Sequence, residues 1–182
     1  MRAKGAVFIA TSLDGFIARA DGSIDWLNAA DAVIPAGEDC GYREFFGSID
    51  AIVMGRHSYE LVSSFATWPY GDKRMVVLSS KPLAIPEHLV GTVSASSQTP
   101  AELVTRLSSE GCQSLYIDGG LTIQSFLTAG LIDEITITMI PVLLGSGIPL
   151  FGPLPHDVFL RHVATKTYDF GYVQVKYSLD HQ

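Results

Sequence analysis

Three short stretches of the 182-residue chain combine residue types that could hold a phosphate. In VMGRHSYE (53–60) an apolar run ends at Met54, Gly55 permits a sharp exit, and Arg56, His57 and Ser58 fall in the first turn of a helix. Backbone N–H groups are free in such a turn, and the Arg56 guanidinium can fork two hydrogen bonds to a phosphate. In VVLSSKP (76–82) an apolar run ends near Leu78, and Ser79, Ser80 and Lys81 can bond phosphate or ribose. In LYIDGG (115–120) a strand stops at Asp118, and Gly119-Gly120 opens into the helical pattern Leu121, Ile123, Phe126, Leu127. A strand that runs through glycines into a helix presents anion-binding N–H groups. Each stretch taken singly also reads as an ordinary turn: a solvated Arg56, a hydroxyl-rich bend, an Asp118 that caps its helix. The third glycine of G-x-G-x-x-G is missing, and no acid stands where a dinucleotide fingerprint needs one.

Reactive side chains are sparse. There is no G-x-S-x-G nucleophile elbow. His57, His88, His156, His162 and His181 are scattered without metal-ligand spacing, and Cys40 and Cys112 form no C-x-x-C, so no metal site is expected. Asp133-Glu134 reads as the start of an exposed strand edge. Ligand-holding loops with few reactive groups suit hydride transfer, in which a cofactor carries the chemistry and the protein positions two rings.

The elements that must position these loops follow an alternating order. Strands are expected over 4–11, 50–54, 74–79, 90–95, 114–117 and 132–142. Helices are expected over 39–48, 56–64, 100–110 (Thr99 as cap, Pro100 at the first position) and 120–129, with 12–38 mostly loop. This alternation favours a mainly parallel sheet covered on both faces. The continuous apolar run Ala51-Ile52-Val53-Met54 suits a strand buried on two sides. The C-terminus differs: Val173, Val175, Tyr177 and Leu179 alternate with polar residues, 158–168 looks extended, and Asp169-Phe170-Gly171 can turn between them. A mixed sheet ending in an antiparallel hairpin is expected, in one α/β domain spanning 1–182. In a parallel sheet the three loops lie along one edge, where together they fit a large, multiply phosphorylated ligand.

Composition narrows the partners. The formal net charge is −7 and no basic run occurs, which argues against nucleic acid. Apolar residues are 47% of the chain, which argues against disorder. The N-terminal apolar run is too short for a signal or membrane span, and the cysteine usage fits a reducing cytoplasm.

At this point the order of motifs resembles the dihydrofolate reductase-like superfamily, most closely its small stand-alone members related to the reductase domain of the bifunctional riboflavin-biosynthesis deaminase/reductase. The matching pieces are AVFIATSLDGFIA (6–18), SIDWL (23–27), IVMGRHSYE (52–60), VVLSSKP (76–82), LYIDGGLTIQSFL (115–127) and DEITITMIPVLLGSGIPLF (133–151). The resemblance implies a three-layer α/β/α fold and NADPH as hydride donor. It places Ala10, Ile17 and Ala18 at the nicotinamide. It places Gly55, Arg56, His57 and Ser58 at the pyrophosphate and 2′-phosphate, Leu78, Ser79 and Ser80 at the adenosine, and Gly119, Gly120, Leu121 and Thr122 around the pyrophosphate. Gly145-Ser146-Gly147 matches a turn beside the active site. The acid that meets the heterocycle falls on Asp39 by ungapped counting, with Glu44 on the same segment; Asp39 also suits a helix N-cap. Phe8, Trp26, Tyr42 and Phe46 are the candidate substrate-pocket aromatics, and equally candidate core. Riboflavin-type reductases follow S-L-D-G with Lys where this chain has Phe16, and no deaminase domain fits within 182 residues.

The expectation is an NADPH-dependent reductase of a small heterocyclic substrate (pterin-like or phosphoribosylaminopyrimidine-like), cytoplasmic and homodimeric. The proton would come from a water held by Asp39. A non-catalytic NADP(H)-binding module and a purely structural dimer are the rival classes.

Overall fold

The computed structural model describes residues 2–179; His181 lies outside the described residues. The chain forms β1 (Lys4–Ser12), β2 (Phe16–Ala18), α1 (Asp25–Asp31), α2 (Tyr42–Gly47), β3 (Ala51–Gly55), α3 (Arg56–Ser63) and β4 (Arg74–Leu78). After a single 3-10 turn follow β5 (Val93–Ser96), α4 (Pro100–Ser109), β6 (Ser114–Asp118), α5 (Gly120–Thr128), β7 (Glu134–Ile140), β8 (Ile148–Pro149), β9 (Leu160–Thr167) and β10 (Val173–Leu179). The main sheet runs β5-β4-β3-β6-β1-β7-β10-β9. From β5 to β7 every pairing is parallel; β10 is antiparallel to β7 and to β9. The expected mainly parallel sheet with an antiparallel C-terminal hairpin is therefore the sheet observed.

Alternation along each strand builds two cores. Ala51 and Val53 face one side, where Leu103, Val104 and Leu107 of α4 and Ile123, Phe126 and Leu127 of α5 pack with Val7, Leu115 and Ile117. Ile52 and Met54 face the other side, with Tyr59 and Val62 of α3 and the half-buried Tyr42, Phe45 and Phe46 of α2. Each fully buried Leu, Ile or Phe here contributes about 1.5–3 kcal/mol of burial. The product is a three-layer α/β/α arrangement.

One local expectation needs correction. The segment 12–38 is mostly loop as expected, and it also contains the short β2 and α1. α1 has only seven residues, too few to persist on propensity. It is held by Trp26, which is 5% exposed and docks among Cys40, Ile140, Tyr168 and Tyr172. The next helix starts at Tyr42 and not at Asp39, because Cys40 (φ 53°) and Gly41 (φ 82°) are left-handed and cannot belong to it. Elsewhere the structure follows local signals: Thr99 caps α4 in a full capping box with Glu102.

The carboxyl ends of β1, β3, β4 and β6 lie along one edge. At the opposite edge Gly5 is buried, and a Cβ there would stand 2.1 Å from the Leu131 carbonyl oxygen. Backbone cannot yield as a side chain can. Gly5→Ala is expected to destabilise the protein by about 1–3 kcal/mol, lowering the melting temperature by roughly 3–10 °C in a thermal scan; an unchanged melting temperature would contradict this packing.

Candidate active site

At the carboxyl edge, β3 ends on Gly55 and β6 is followed by Gly119, each the N-cap of the next helix. Gly55 precedes α3 and Gly119 precedes α5, and neither helix has a side-chain cap. α4, which follows the parallel strand β5 at the same edge, has both its cap bonds made. The first-turn N–H groups of α3 and α5 are thus left open toward the edge, with the positive ends of two helix dipoles beside them. The expected capping of α5 by Asp118 is absent.

The two openings are in close contact. Gly119 (φ 89°) has the Ser58 hydroxyl so near that a Cβ would lie 2.4 Å from Ser58 Oγ. A Cβ on Gly55 would lie 2.9 Å from Thr122 Oγ1. Gly55, Ser58, Gly119 and Thr122 therefore form one narrow floor of backbone and small hydroxyls. Arg56 spans from this floor to the loop after β4. Its Nε donates to Ser79 Oγ (3.1 Å), Nη1 to Glu60 Oε1 (3.1 Å), and Nη2 to the Lys81 carbonyl (2.8 Å) and the Pro82 carbonyl. Part of its donor fork is thus spent on shaping the loop. Ser79 Oγ also accepts from Lys81 N–H. Leu78 is half-buried, Ser80 and His57 project into solvent, and Leu121 is exposed at the mouth of α5.

A wall rises over α5 from two loops that sequence reasoning treated separately. Asp14 accepts from Ser12 Oγ (2.6 Å) and from the backbone N–H groups of Leu144 and Gly145, the latter at 2.7 Å. These bonds, led by the one from Ser12, hold its carboxyl below the usual range. The loop so tied brings β2 against β8, pairing Phe16 with Pro149 and Ala18 with Ile148. Gly147 passes so close that a Cβ would meet the Ala18 carbonyl at 2.3 Å. Ile17 and Ile148 then stand over Gly120. The wall thus brings together Ile17, Ala18 and Gly120, three of the residues singled out in the sequence. Asp14 was missed as the residue that ties it, although Ser12-Leu13-Asp14-Gly15 is a recognisable turn signal.

Beyond this wall lies an aromatic face. Phe8 on β1 meets Tyr42 edge-on at 5.8 Å and stacks on Phe45 at 4.9 Å; Tyr42 stacks on Phe46 at 5.6 Å. Tyr116 donates its hydroxyl to the Phe8 carbonyl at 2.9 Å. Asp118 pairs in register with Met54, so its side chain shares this face. Burial pushes the Asp118 carboxyl from 3.8 up to about 6, with the Gly119 N–H drawing it partly back. Burial first, and the Asp118 charge second, push the Tyr42 phenol up to about 12; Tyr70 and Tyr116 are raised for the same two reasons. The site therefore has an acid among phenols. The signal for it lay in the strand period, since Tyr116 and Asp118 are two residues apart and must share a face.

The other expected acid is placed differently. Asp39 accepts from the backbone N–H groups of Gly41 (2.9 Å) and Arg43 (3.2 Å), so its carboxylate caps the start of α2. Trp26 belongs to a third cluster with Cys40, Tyr168 and Tyr172, against which Ala10 packs. Within it, Trp26 Nε1 and the hydroxyls of Tyr168 and Tyr172 are buried without a hydrogen-bond partner. Phe8, Tyr42 and Phe46 thus gather beside Asp118, while Trp26 and Asp39 lie on the other flank of Ala10. Among the described residues, no cluster of His, Cys, Asp and Glu could hold a metal ion, and no helix is long and apolar enough to cross a membrane.

Comparison with known proteins agrees with this architecture. A protein of Shewanella sp. PV-4 provisionally assigned to riboflavin biosynthesis superposes with a TM-score of 0.90 at 37% identity, covering 98% of this chain and 99% of that one. The diaminohydroxyphosphoribosylaminopyrimidine deaminase/5-amino-6-(5-phosphoribosylamino)uracil reductase of Thermotoga maritima gives 0.75 at 16% identity, over 98% of this chain and 57% of that one. A dihydrofolate reductase of Enterococcus faecalis, complexed with NADP(H), gives 0.65 at 17% identity over the full length of both chains. The last two show a shared dihydrofolate reductase-like fold. Residues 3–174 match the family model of the RibD C-terminal domain, and the chain belongs to that family.

Proposed function

We propose that the protein is an NADPH-dependent reductase that passes hydride to a small heterocyclic substrate. The observation that carries the reading is the pair of uncapped helix openings, Gly55–Ser58 and Gly119–Thr122, packed together at the carboxyl edge of the sheet. Backbone N–H groups there suit a pyrophosphate, and the similarly folded Enterococcus faecalis protein is one complexed with NADP(H). In this reading Gly55, Ser58, Gly119, Gly120, Leu121 and Thr122 hold the pyrophosphate. Arg56 and His57 serve the 2′-phosphate side, and Leu78, Ser79 and Ser80 the adenosine. Ala10, Ile17 and Ala18 line the nicotinamide end.

NADPH, when bound, supplies the hydride. The chain's own residues orient and protonate. Phe8, Tyr42 and Phe46 flank the substrate ring, while Trp26, buried in its own cluster, holds α1 in place. We assign the proton donor to Asp118, because a carboxyl raised to about 6 keeps a protonated fraction near neutral pH. Asp39, engaged by two backbone N–H groups, supports α2. We further propose a homodimer through β7, β10 and β9, where Ile137, Val175 and Tyr177 share one half-exposed face. Light scattering should give twice the 19.6 kDa chain mass, and a monomer at micromolar concentration would rule the dimer out.

The cofactor reading is tested by calorimetry. Gly119→Ala forces a Cβ onto a left-handed backbone and against Ser58, so NADPH affinity should fall about tenfold or more, a loss of at least ~1.4 kcal/mol. Wild-type protein with no NADPH binding would end the proposal.

Asp118 makes a separate prediction with a defined sign. Its folded pKa, about 6, lies above the unfolded value, so between the two the folded state binds a proton that the unfolded chain does not. Its contribution is therefore most favourable near pH 4 and is lost as pH rises through about 6. Asp118→Asn should flatten that segment of the stability–pH curve and stabilise the protein at pH 7 by up to about 3 kcal/mol. The rate of substrate reduction should fall as pH rises through the same range, and should lose that dependence in the variant. Parallel curves for wild type and variant would remove Asp118 from the role.

A further inference from the structure

The segment 144–150, which carries β8 over Gly120, is held at both ends by side chains of other elements. At the first end the Asp14 carboxylate accepts from the N–H groups of Leu144 (3.1 Å) and Gly145 (2.7 Å). Asp14 is itself fixed by Ser12 Oγ, which donates to it at 2.6 Å and accepts from the Phe16 N–H at 2.9 Å. At the second end Gln124 Nε2, on α5, donates to the carbonyls of Pro149 and Leu150, both at 3.3 Å. Gly152 then passes so near Gln124 that a Cβ there would stand 2.5 Å from its Oε1. The Leu150 N–H donates to the Gly15 carbonyl at 3.0 Å, which ties the far end of the segment back to the Asp14 turn.

The strands between these anchors cannot hold themselves. β2 has three residues and β8 has two, and an isolated two-stranded ribbon is at best marginally stable in water. Gly145 (φ 74°) adds backbone freedom that must be lost when the segment is ordered. Two backbone N–H groups on one carboxylate are charge-assisted bonds, the stronger kind available to such a loop. The anchors therefore decide where Ile17 and Ile148 stand, at 3.0 Å and 3.6 Å from the position a Cβ on Gly120 would take. The floor of Gly55, Ser58, Gly119 and Thr122 is independent of them, because its close contacts run between the starts of α3 and α5.

We propose that Asp14 and Gln124 are positioning residues that clamp the β2–β8 wall in place at the nicotinamide end of the cleft. This rests on the NADPH reading. The floor holds the phosphates whether or not the wall is clamped. The wall holds the nicotinamide ring only while both of its ends are fixed, since an unfixed wall must be ordered at the moment of binding. Loss of either clamp therefore weakens the hold on one part of the cofactor and spares the rest.

Calorimetry on the whole protein with two ligands tests this. One is NADPH. The other is 2′-phosphoadenosine diphosphoribose, which has the same phosphates and adenosine and lacks the nicotinamide. Absence of NADPH binding by the wild type overturns the reductase reading, and is seen before any variant is made. The wild type should bind NADPH about tenfold or more tighter than the shorter ligand. Asp14→Asn keeps the side-chain shape and sets an amide donor against backbone donors. Gln124→Met removes both donors at the other end, and carries the test by itself if the Asp14 variant does not fold. Each variant should lower NADPH affinity about fivefold or more and leave the shorter ligand within about twofold. A wild type that binds the two ligands equally overturns the proposal. So does a folded variant that leaves their affinity ratio unchanged, whether neither affinity moves or both fall together as a general loss of structure would make them.

Discussion

A Cβ on Gly119 would meet Ser58 Oγ at 2.4 Å and one on Gly55 would meet Thr122 Oγ1 at 2.9 Å, and the candidate site depends on that closeness. Parallel strands send their carboxyl ends to one edge, so β3 and β6 necessarily release their chains side by side. A side chain at either release point would collide with the hydroxyl that closes the gap between α3 and α5. Glycine at both points lets Ser58 lie against Gly119 and Thr122 against Gly55. Two helix N-termini then open onto the same small volume, and neither is closed by a side-chain cap. The fully capped α4 starts from the same edge, so the openness belongs to the α3 and α5 starts and not to the edge as a whole.

The remaining parts orient around that floor. Arg56 ties it to the loop after β4 through Ser79, Lys81 and Pro82, so the two loops share one conformation. On the other side the Asp14 carboxylate acts as a hook. It gathers the backbone of Leu144 and Gly145, and by doing so brings β2 and β8 over Gly120. Neither Arg56 nor Asp14 needs to touch a reacting atom to matter, since each fixes backbone that would otherwise wander.

The two carboxylates illustrate how environment assigns roles. Asp39 lies among backbone donors at the start of a helix, which suits a helix cap. Asp118 lies among rings and phenols, where burial disfavours charge and leaves it able to release a proton near neutrality. Their types are the same; their surroundings separate them.

Much of this was legible in the sequence, and the reasons are local. The apolar runs at 51–54 and 75–77, the Thr99-Pro100 helix start and the period of two in 173–179 depend on neighbours a few residues away, and the structure has strands and a helix there. The three phosphate-compatible loops could be placed on one edge because parallel topology leaves them no other place. What tertiary structure alone decided was distance and facing. No local signal shows that Ser58 lies against Gly119, that Asp14 reaches across to Gly145, or that Trp26 docks beside the distant Tyr168 and Tyr172 to hold a helix too short to stand alone. Counting along the chain, which offered Asp39 or Glu44 as the acid, could not show the burial of Asp118 for the same reason: a carboxyl group's proton affinity is set by what surrounds it in space, and sequence specifies that surrounding only through the completed fold.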